Sequence, residues 1–99
     1  MAIQSEFYTF TADNINKSPD SPGVYVLWKG SELIYIGSSS LSIRGRLARH
    51  YNGDEGWCTR QATQYQRMVT TTPIATERRL LLEHRARYGR LPACNNNIP

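Results

Sequence analysis

The sequence predicts an α+β domain: a small three-stranded antiparallel sheet flanked by helices. Two observations carry that expectation. Residues 23–29 and 32–38 are both rich in β-branched and aromatic side chains and are separated only by Gly30-Ser31, the pattern of a hairpin. Two later segments, each opened by Ser or Thr and closed by Gly, carry apolar residues at helical spacing and bracket a third Thr-, Tyr- and Val-rich run. Strand, strand, helix, strand, helix is the order of a sheet with helices packed against it.

Residues 1–22 are polar, with Ile3, Phe7, Phe10 and Ile15 as apolar anchors and Pro19 and Pro22 near the end. They are expected to form an N-terminal arm packing on a domain of residues 23–99. From Gly23 to Lys29, Val24, Val26 and Trp28 alternate with Tyr25 and Leu27, which reads as a strand. Its partner runs from Glu32 to Ser38 through Leu33, Ile34, Tyr35 and Ile36. Both faces of the pair are apolar, so each needs a cover.

Ser38 to Leu41 is a connector. Ser42 is a fitting N-cap for a helix from Ile43 to about Tyr51, with Ile43 and Leu47 on its inner stripe and Asn52-Gly53 as its stop. Residues 52–60 read as a loop anchored by Trp57. Residues 63–71 alternate Tyr65, Arg67 and Val69 against Gln64, Gln66 and Met68, a third strand. Thr72 then caps a second helix, with Pro73 at its first position; it runs through Leu80-Leu81-Leu82 to Tyr88 and stops at Gly89. Leu91 to Pro99 is an irregular tail.

At 99 residues the chain is expected to be one domain, with no room for a separate recognition domain. A chain of that size buries roughly two-thirds or less of its unfolded surface. Twelve Lys and Arg against eight Asp and Glu give a formal charge of +4. All the cations but Lys17 and Lys29 are Arg, whose planar fork can bind two phosphate oxygens at once. No stretch approaches the ~20 apolar residues of a membrane span, and no charged start followed by an apolar run marks a signal peptide. Cys58 and Cys94 form no CxxC pair and have no His at zinc spacing, so they are expected to be reduced thiols in a cytoplasmic setting.

Six side chains stand out chemically. In a hairpin of this length Tyr25 and Tyr35 can bring both phenols to one end of the sheet. A phenol beside a cation loses its proton more easily and can accept a proton from, or position, an attacking water. Arg46 and His50, one helical turn apart, share a face. A guanidinium there would neutralise charge building on phosphate oxygens, whereas Arg44 and Arg49 read as a solvated basic face. Glu83 and, one and a half turns earlier, Glu77 offer hard carboxylate oxygens of the kind Mg²⁺ takes, and Mg²⁺ needs few protein ligands. Arg79 and Arg87 flank Glu83 at i−4 and i+4, so an ordinary surface ion pair is the competing reading. Asn95 is either a polar loop residue or a side chain that fixes the hairpin end or contacts phosphate. Tyr, Tyr, Arg, His, Glu, Asn is an inventory suited to metal-assisted cleavage of a phosphodiester.

Gly23-Val24-Tyr25 and Tyr35-Ile36-Gly37, nine residues apart, resemble the paired motif of the GIY-YIG nuclease superfamily, and the likeness extends over about residues 23–95. That superfamily includes the nuclease half of bacterial excision-repair enzymes, phage homing endonucleases and some restriction enzymes. The resemblance implies Tyr25 as general base and Tyr35 as an orienting, phosphate-contacting residue. The family's Arg falls eight residues after the second motif's Gly, a position held here by Gly45. A one-residue insertion in the connector moves the match to Arg46, with His50 four residues on as in the homing and restriction branches. In the excision-repair branch a Leu run precedes the metal-binding Glu, a Pro follows, and an Asn stands twelve positions on. Glu83, Pro92 and Asn95 keep that spacing, so the resemblance favours Glu83 over Glu77 as the metal ligand. That branch often has Lys after the second motif; here Ser38 stands there, which weakens a repair assignment. The implied activity is a Mg²⁺- or Mn²⁺-dependent endonuclease acting on single-stranded, duplex or branched DNA as a monomer or weak homodimer. The alternative is a module that binds nucleic acid through Arg78, Arg79, Arg85, Arg87 and Arg90 without cutting. On an unpaired strand Trp57, Tyr8 or Tyr51 could stack on bases.

Overall fold

The computed structural model describes residues 3 and 5–99. Its elements are β1 (Tyr8–Thr9), α1 (Ala12–Asn16), β2 (Gly23–Lys29), β3 (Glu32–Ser39), α2 (Ile43–Tyr51), α3 (Trp57–Arg60), β4 (Gln64–Val69) and α4 (Pro73–Tyr88). The sheet has four antiparallel strands in the order β1-β4-β2-β3, not the expected three. The fourth comes from residues 1–22: Tyr8 and Thr9 pair with Tyr65 and Gln64 of β4. Two residues are too few to show the alternation by which a strand is recognised, and only pairing with β4 makes them one.

The hairpin places Tyr25 opposite Gly37 and Leu27 opposite Tyr35. Beyond Leu27 the register shifts, Trp28 pairing with Leu33, which leaves Ile34 as an extra residue on β3. Because of this bulge Ile34 and Tyr35 both join the layer under α2, while Leu33 turns to the layer under α4. The α2 side holds Phe10, Ile15, Tyr25, Leu27, Ile43, Leu47 and Tyr65. The α4 side holds Val24, Val26, Ile36, Leu80 and Leu81. Both faces of the hairpin are covered, and each packs about alternate residues of β2.

Two of the helix ends follow their sequence signals, and the expected Thr72 cap is not made. Ser42 Oγ accepts from Gly45 N at 3.0 Å at the start of α2. Gly89 ends α4 in the left-handed region at φ 78°. Thr72 precedes Pro73 without making a side-chain cap. Two expectations fail in residues 52–60. The segment is not all loop but carries the single turn α3, and Trp57 does not anchor it, being 75% exposed. The expected reduced thiols are also overturned: Cys58 on α3 and Cys94 in the tail are joined by a disulfide, with Cα atoms 5.7 Å apart. Spacing arguments on sequence look for local pairs, and these two meet only through the fold. The inference of a reducing compartment, which rested on free thiols, loses its basis. Among the described residues no helix is long and apolar enough to cross a membrane.

Candidate active site

Four segments meet where the Gly23 end of β2 lies against the Ser39 end of β3. β2 contributes Tyr25, whose residue is wholly buried. Its ring reaches across the sheet over Gly37. A Cβ at Gly37 would lie 2.6 Å from the Tyr25 hydroxyl and 2.6 Å from Cε2 of Tyr35. The glycine of the second motif is therefore a space requirement, created by two phenols sharing one face with it.

α2 presents Ile43, Leu47 and His50 to the core. His50 lies fully buried with both ring nitrogens engaged: Nε2 is 2.8 Å from the Tyr25 hydroxyl and Nδ1 is 2.8 Å from Thr59 Oγ1. The three rings form one cluster, with centroids 5.4 Å apart for Tyr25–His50, 5.1 Å for Tyr35–His50 and 6.2 Å for Tyr25–Tyr35. Tyr35 is only half-buried, so of the two phenols it is the one in contact with solvent.

Arg46, one turn before His50, donates from Nη1 to the Ser38 carbonyl at 3.2 Å. Its Nη2 is 3.9 Å from Glu55, whose other oxygen accepts from Arg49 Nε at 2.7 Å. Arg46 Nε is buried and has no hydrogen-bond partner among the described residues. A buried donor left unpaired is costly; the guanidinium as a whole is the group at this place suited to binding an anion.

α4 contributes Glu77, not Glu83. The half-buried Glu77 carboxylate accepts a hydrogen bond from Ser38 Oγ. Glu83 lies exposed and is paired at 3.3 Å with Arg79, itself on the surface. The reason is helical phase. Six residues turn the helix by roughly 240°, which puts the two carboxylates on different faces. Leu80 and Leu81, three and four after Glu77, are buried and turn its face inward. The spacing to Asn95 that favours Glu83 says nothing about which face looks at the sheet. Asn95 itself lies beside β3: its Oδ1 accepts from Ile36 N at 3.0 Å and its Nδ2 donates to Ile36 O at 3.0 Å. It holds the backbone between Tyr35 and Gly37.

The site's electrostatics follow from burial and from one cation. Burial pushes the Tyr25 phenol well above the usual range; Tyr35 adds to this and Arg46 opposes it without prevailing. Burial also raises Tyr35, again against Arg46. The expectation that the cation would make these phenols easy to ionise is thus reversed in the free protein. Burial, then Arg46, lowers His50 to about 4, so it is neutral near pH 7. Burial raises Glu77, against its Ser38 bond and Arg46. The structure thus brings together Tyr25, Tyr35, Arg46, His50 and Glu77, with Asn95 behind them, and leaves Glu83 outside. Sequence reasoning missed Glu55 and Thr59. Both lie in the segment read as a loop, and nothing in their spacing ties them to Arg46 or His50.

A family model for the GIY-YIG catalytic domain matches residues 21–88. The chain belongs to that family. Among solved structures it resembles the GIY-YIG N-terminal endonuclease domain of UvrC from Thermotoga maritima. A Tyr→Phe point mutant of that domain, bound to its catalytic divalent cation, matches with a TM-score of 0.62 and 22% identity over 86% of this chain and 93% of that one. The same domain bound to magnesium matches with a TM-score of 0.59 and 22% identity over 85% and 98% of the two chains. An Asn→Ala point mutant with its divalent cation gives a TM-score of 0.60 at 21% identity, over 86% and 98%. Family and fold together support a nuclease.

Proposed function

We propose that this chain is a divalent-metal-dependent endodeoxyribonuclease that hydrolyses phosphodiesters. The observation that carries the reading is the meeting of Arg46, with its unpartnered Nε, and the Glu77 carboxylate beside the Tyr25–Tyr35–His50 cluster. One positive and one negative group flank a place where a phosphate diester would sit.

The residues present fit a hard cation. Among the described residues no cluster of three His, Cys, Asp or Glu exists. Of the two carboxylates near the phenols, Glu55 is taken up by Arg49 and Arg46 and Glu77 is not ion-paired among the described residues; a single carboxylate suffices for an ion that keeps most of its waters. Such an ion, when bound, supplies Lewis-acid stabilisation of charge on phosphate and leaving oxygen. Glu77 would hold it, with Ser38 fixing the carboxylate's orientation. Arg46 would take the phosphate oxygens, its side chain aimed by Ser38 O and Glu55. Tyr35, the phenol in contact with solvent, would position the attacking water. Tyr25 lies behind it with its hydroxyl on neutral His50, a proton acceptor at bonding distance. Asn95 would keep Tyr35 and Gly37 in register. Trp57, exposed on α3 two residues before Thr59, would offer an unpaired base a flat surface, which supports single-stranded or branched DNA as substrate. Tyr8 and Tyr51 are half-buried beneath Arg67 and Arg60 and serve less well.

The test is incubation with Mg²⁺ and labelled single-stranded, duplex and branched DNA, beside Glu77→Gln and Arg46→Ala. Metal-dependent product from the wild type alone supports the reading. Salt-sensitive binding with no product from any substrate would replace it with a non-cleaving module.

A further inference from the structure

We infer that Thr59 is a positioning residue that fixes the proton arrangement of His50 and, through it, the Tyr25 phenol. The inference rests on the nuclease reading above for its kinetic consequence, and on geometry alone for its structural one. Thr59 Oγ1, His50 and Tyr25 form a continuous chain with 2.8 Å at each link, and all three residues are buried.

The order of donors follows from the chemistry of the groups. A buried phenol keeps its proton and therefore donates to Nε2. A neutral imidazole with an accepting Nε2 carries its hydrogen on Nδ1, and that hydrogen points at Thr59 Oγ1. With the Tyr25 hydroxyl donating at Nε2, Thr59 Oγ1 accepts the Nδ1 hydrogen and so satisfies the tautomer in which Nε2 can take a proton; without that acceptor the buried Nδ1–H is left unpaired. If Tyr25 passes its proton to Nε2, phenolate and imidazolium result; the imidazolium keeps its Nδ1–H on Thr59, and the proton returns by the same path. This is how an outer hydrogen-bond partner orients a catalytic imidazole. The charged and titratable groups around His50 are Tyr25, Tyr35, Arg46, Arg49 and Glu55. None of them substitutes for Thr59 at Nδ1.

The setting of Thr59 is unusually well secured for so short an element. α3 is a four-residue turn with no side-chain cap, too short to hold its shape alone. It is held from outside by the disulfide at the adjacent Cys58, and Ala62 N closes a local turn on Thr59 O. A surface turn fixed in this way puts one hydroxyl, 3% exposed, on one imidazole nitrogen.

The experiment compares wild type, Thr59→Val and Thr59→Ser by two readouts. The first is the ¹⁵N shifts of His50, which report its tautomer and do not depend on any activity. The wild type should show the Nδ1–H form, Thr59→Val a shift towards the other tautomer or a mixture, and Thr59→Ser the wild-type pattern. The second is cleavage of a labelled oligonucleotide with Mg²⁺. Thr59→Val should lower kcat roughly 10–100-fold with KM little changed, and Thr59→Ser should restore most of it. If Thr59→Val does not fold, Thr59→Ala carries the same comparison. An unchanged His50 tautomer in the valine or alanine variant overturns the inference. Changed shifts with no cleavage by any form, wild type included, would leave the positioning intact and sink the nuclease reading instead.

Discussion

The hydroxyl of Tyr25 lies 2.8 Å from Nε2 of His50, in a place closed to solvent. The two residues come from the first strand of the hairpin and from the helix after it. Desolvation moves their proton affinities apart: the phenol holds its proton more tightly and the imidazole less. Of the two, the phenol is therefore the firmer holder of its proton and the imidazole the neutral partner.

The carboxylate that matters should be the one on the inner face of α4. Glu77→Gln is expected to lower metal-dependent cleavage by roughly 10³-fold, the several kcal/mol that a bound cation contributes to the transition state. Glu83→Ala should leave the rate within about twofold, because it removes an exposed ion pair worth at most about 1 kcal/mol. Initial rates of the two variants, with thermal melts to confirm folding, check this. The opposite ranking would move the metal site to the outer face.

Gly37→Ala should lower activity through space alone. The added methyl would stand 2.6 Å from the Tyr25 hydroxyl and from the Tyr35 ring, so one phenol has to move. Tyr25 is buried and bonded to His50, so Tyr35 is the ring expected to yield. Cleavage should fall by about two orders of magnitude, the scale of loss from misplacing reacting groups by an ångström. A kinetic assay beside a melting curve separates this from unfolding.

Acid should destabilise the fold through His50. Its folded value is lowered to about 4 from an ordinary 6.5, first by burial and then by Arg46. The unfolded chain binds the extra proton across that window. Stability is therefore full above about pH 6.5 and falls as pH drops towards 4, by at most about 3 kcal/mol. Glu55, lowered chiefly by its Arg49 bond, acts in the same direction, and Glu77, raised by burial, in the other. Melting temperatures from pH 7 to 4.5 should fall less steeply for His50→Gln than for the wild type. Parallel slopes would mean that His50 is not the titrating group.

Reduction should weaken the domain and its site together. The Cys58–Cys94 bond spans 36 residues of sequence, which corresponds to about 4 kcal/mol in the chain-entropy account. Its two ends immediately precede Thr59 and Asn95, which support His50 and Ile36. Cys58→Ser with Cys94→Ser should lower the melting temperature and also kcat at a temperature where the variant is folded. A double variant that loses stability and keeps kcat would show the bond to be mechanical only.

The sequence reveals the hairpin, both long helices, the Ser42 cap, the Gly89 stop and four of the clustered side chains, because each of these is a local pattern. Tyr25 and Tyr35 share a face by the two-residue period, and Arg46 and His50 share one by the helical turn. Glu77 and Glu83 show where such reasoning ends. Both fit the chemistry, and the choice depends on which stripe of α4 meets β2 and β3, which the weakly amphipathic run Arg78-Arg79-Leu80-Leu81-Leu82 leaves open. Strand β1 and the disulfide escape for a related reason. Each exists only as a contact between distant segments, Tyr8 with Tyr65 and Cys58 with Cys94. Thr59 and Glu55 belong to the same class of tertiary partners with no local signature.

The tail does one thing more. β3 is the last strand of the sheet, and a long bare border of amide and carbonyl groups is a template for joining another chain. Here Cys94 N donates to Ile34 O at 2.8 Å, and the Asn95 carboxamide occupies both backbone groups of Ile36. At the far side β1 ends the sheet with only two residues. The protein thus guards both borders against self-association into β-fibrils, and the same asparagine that steadies the backbone between Tyr35 and Gly37 stands in for a neighbouring strand.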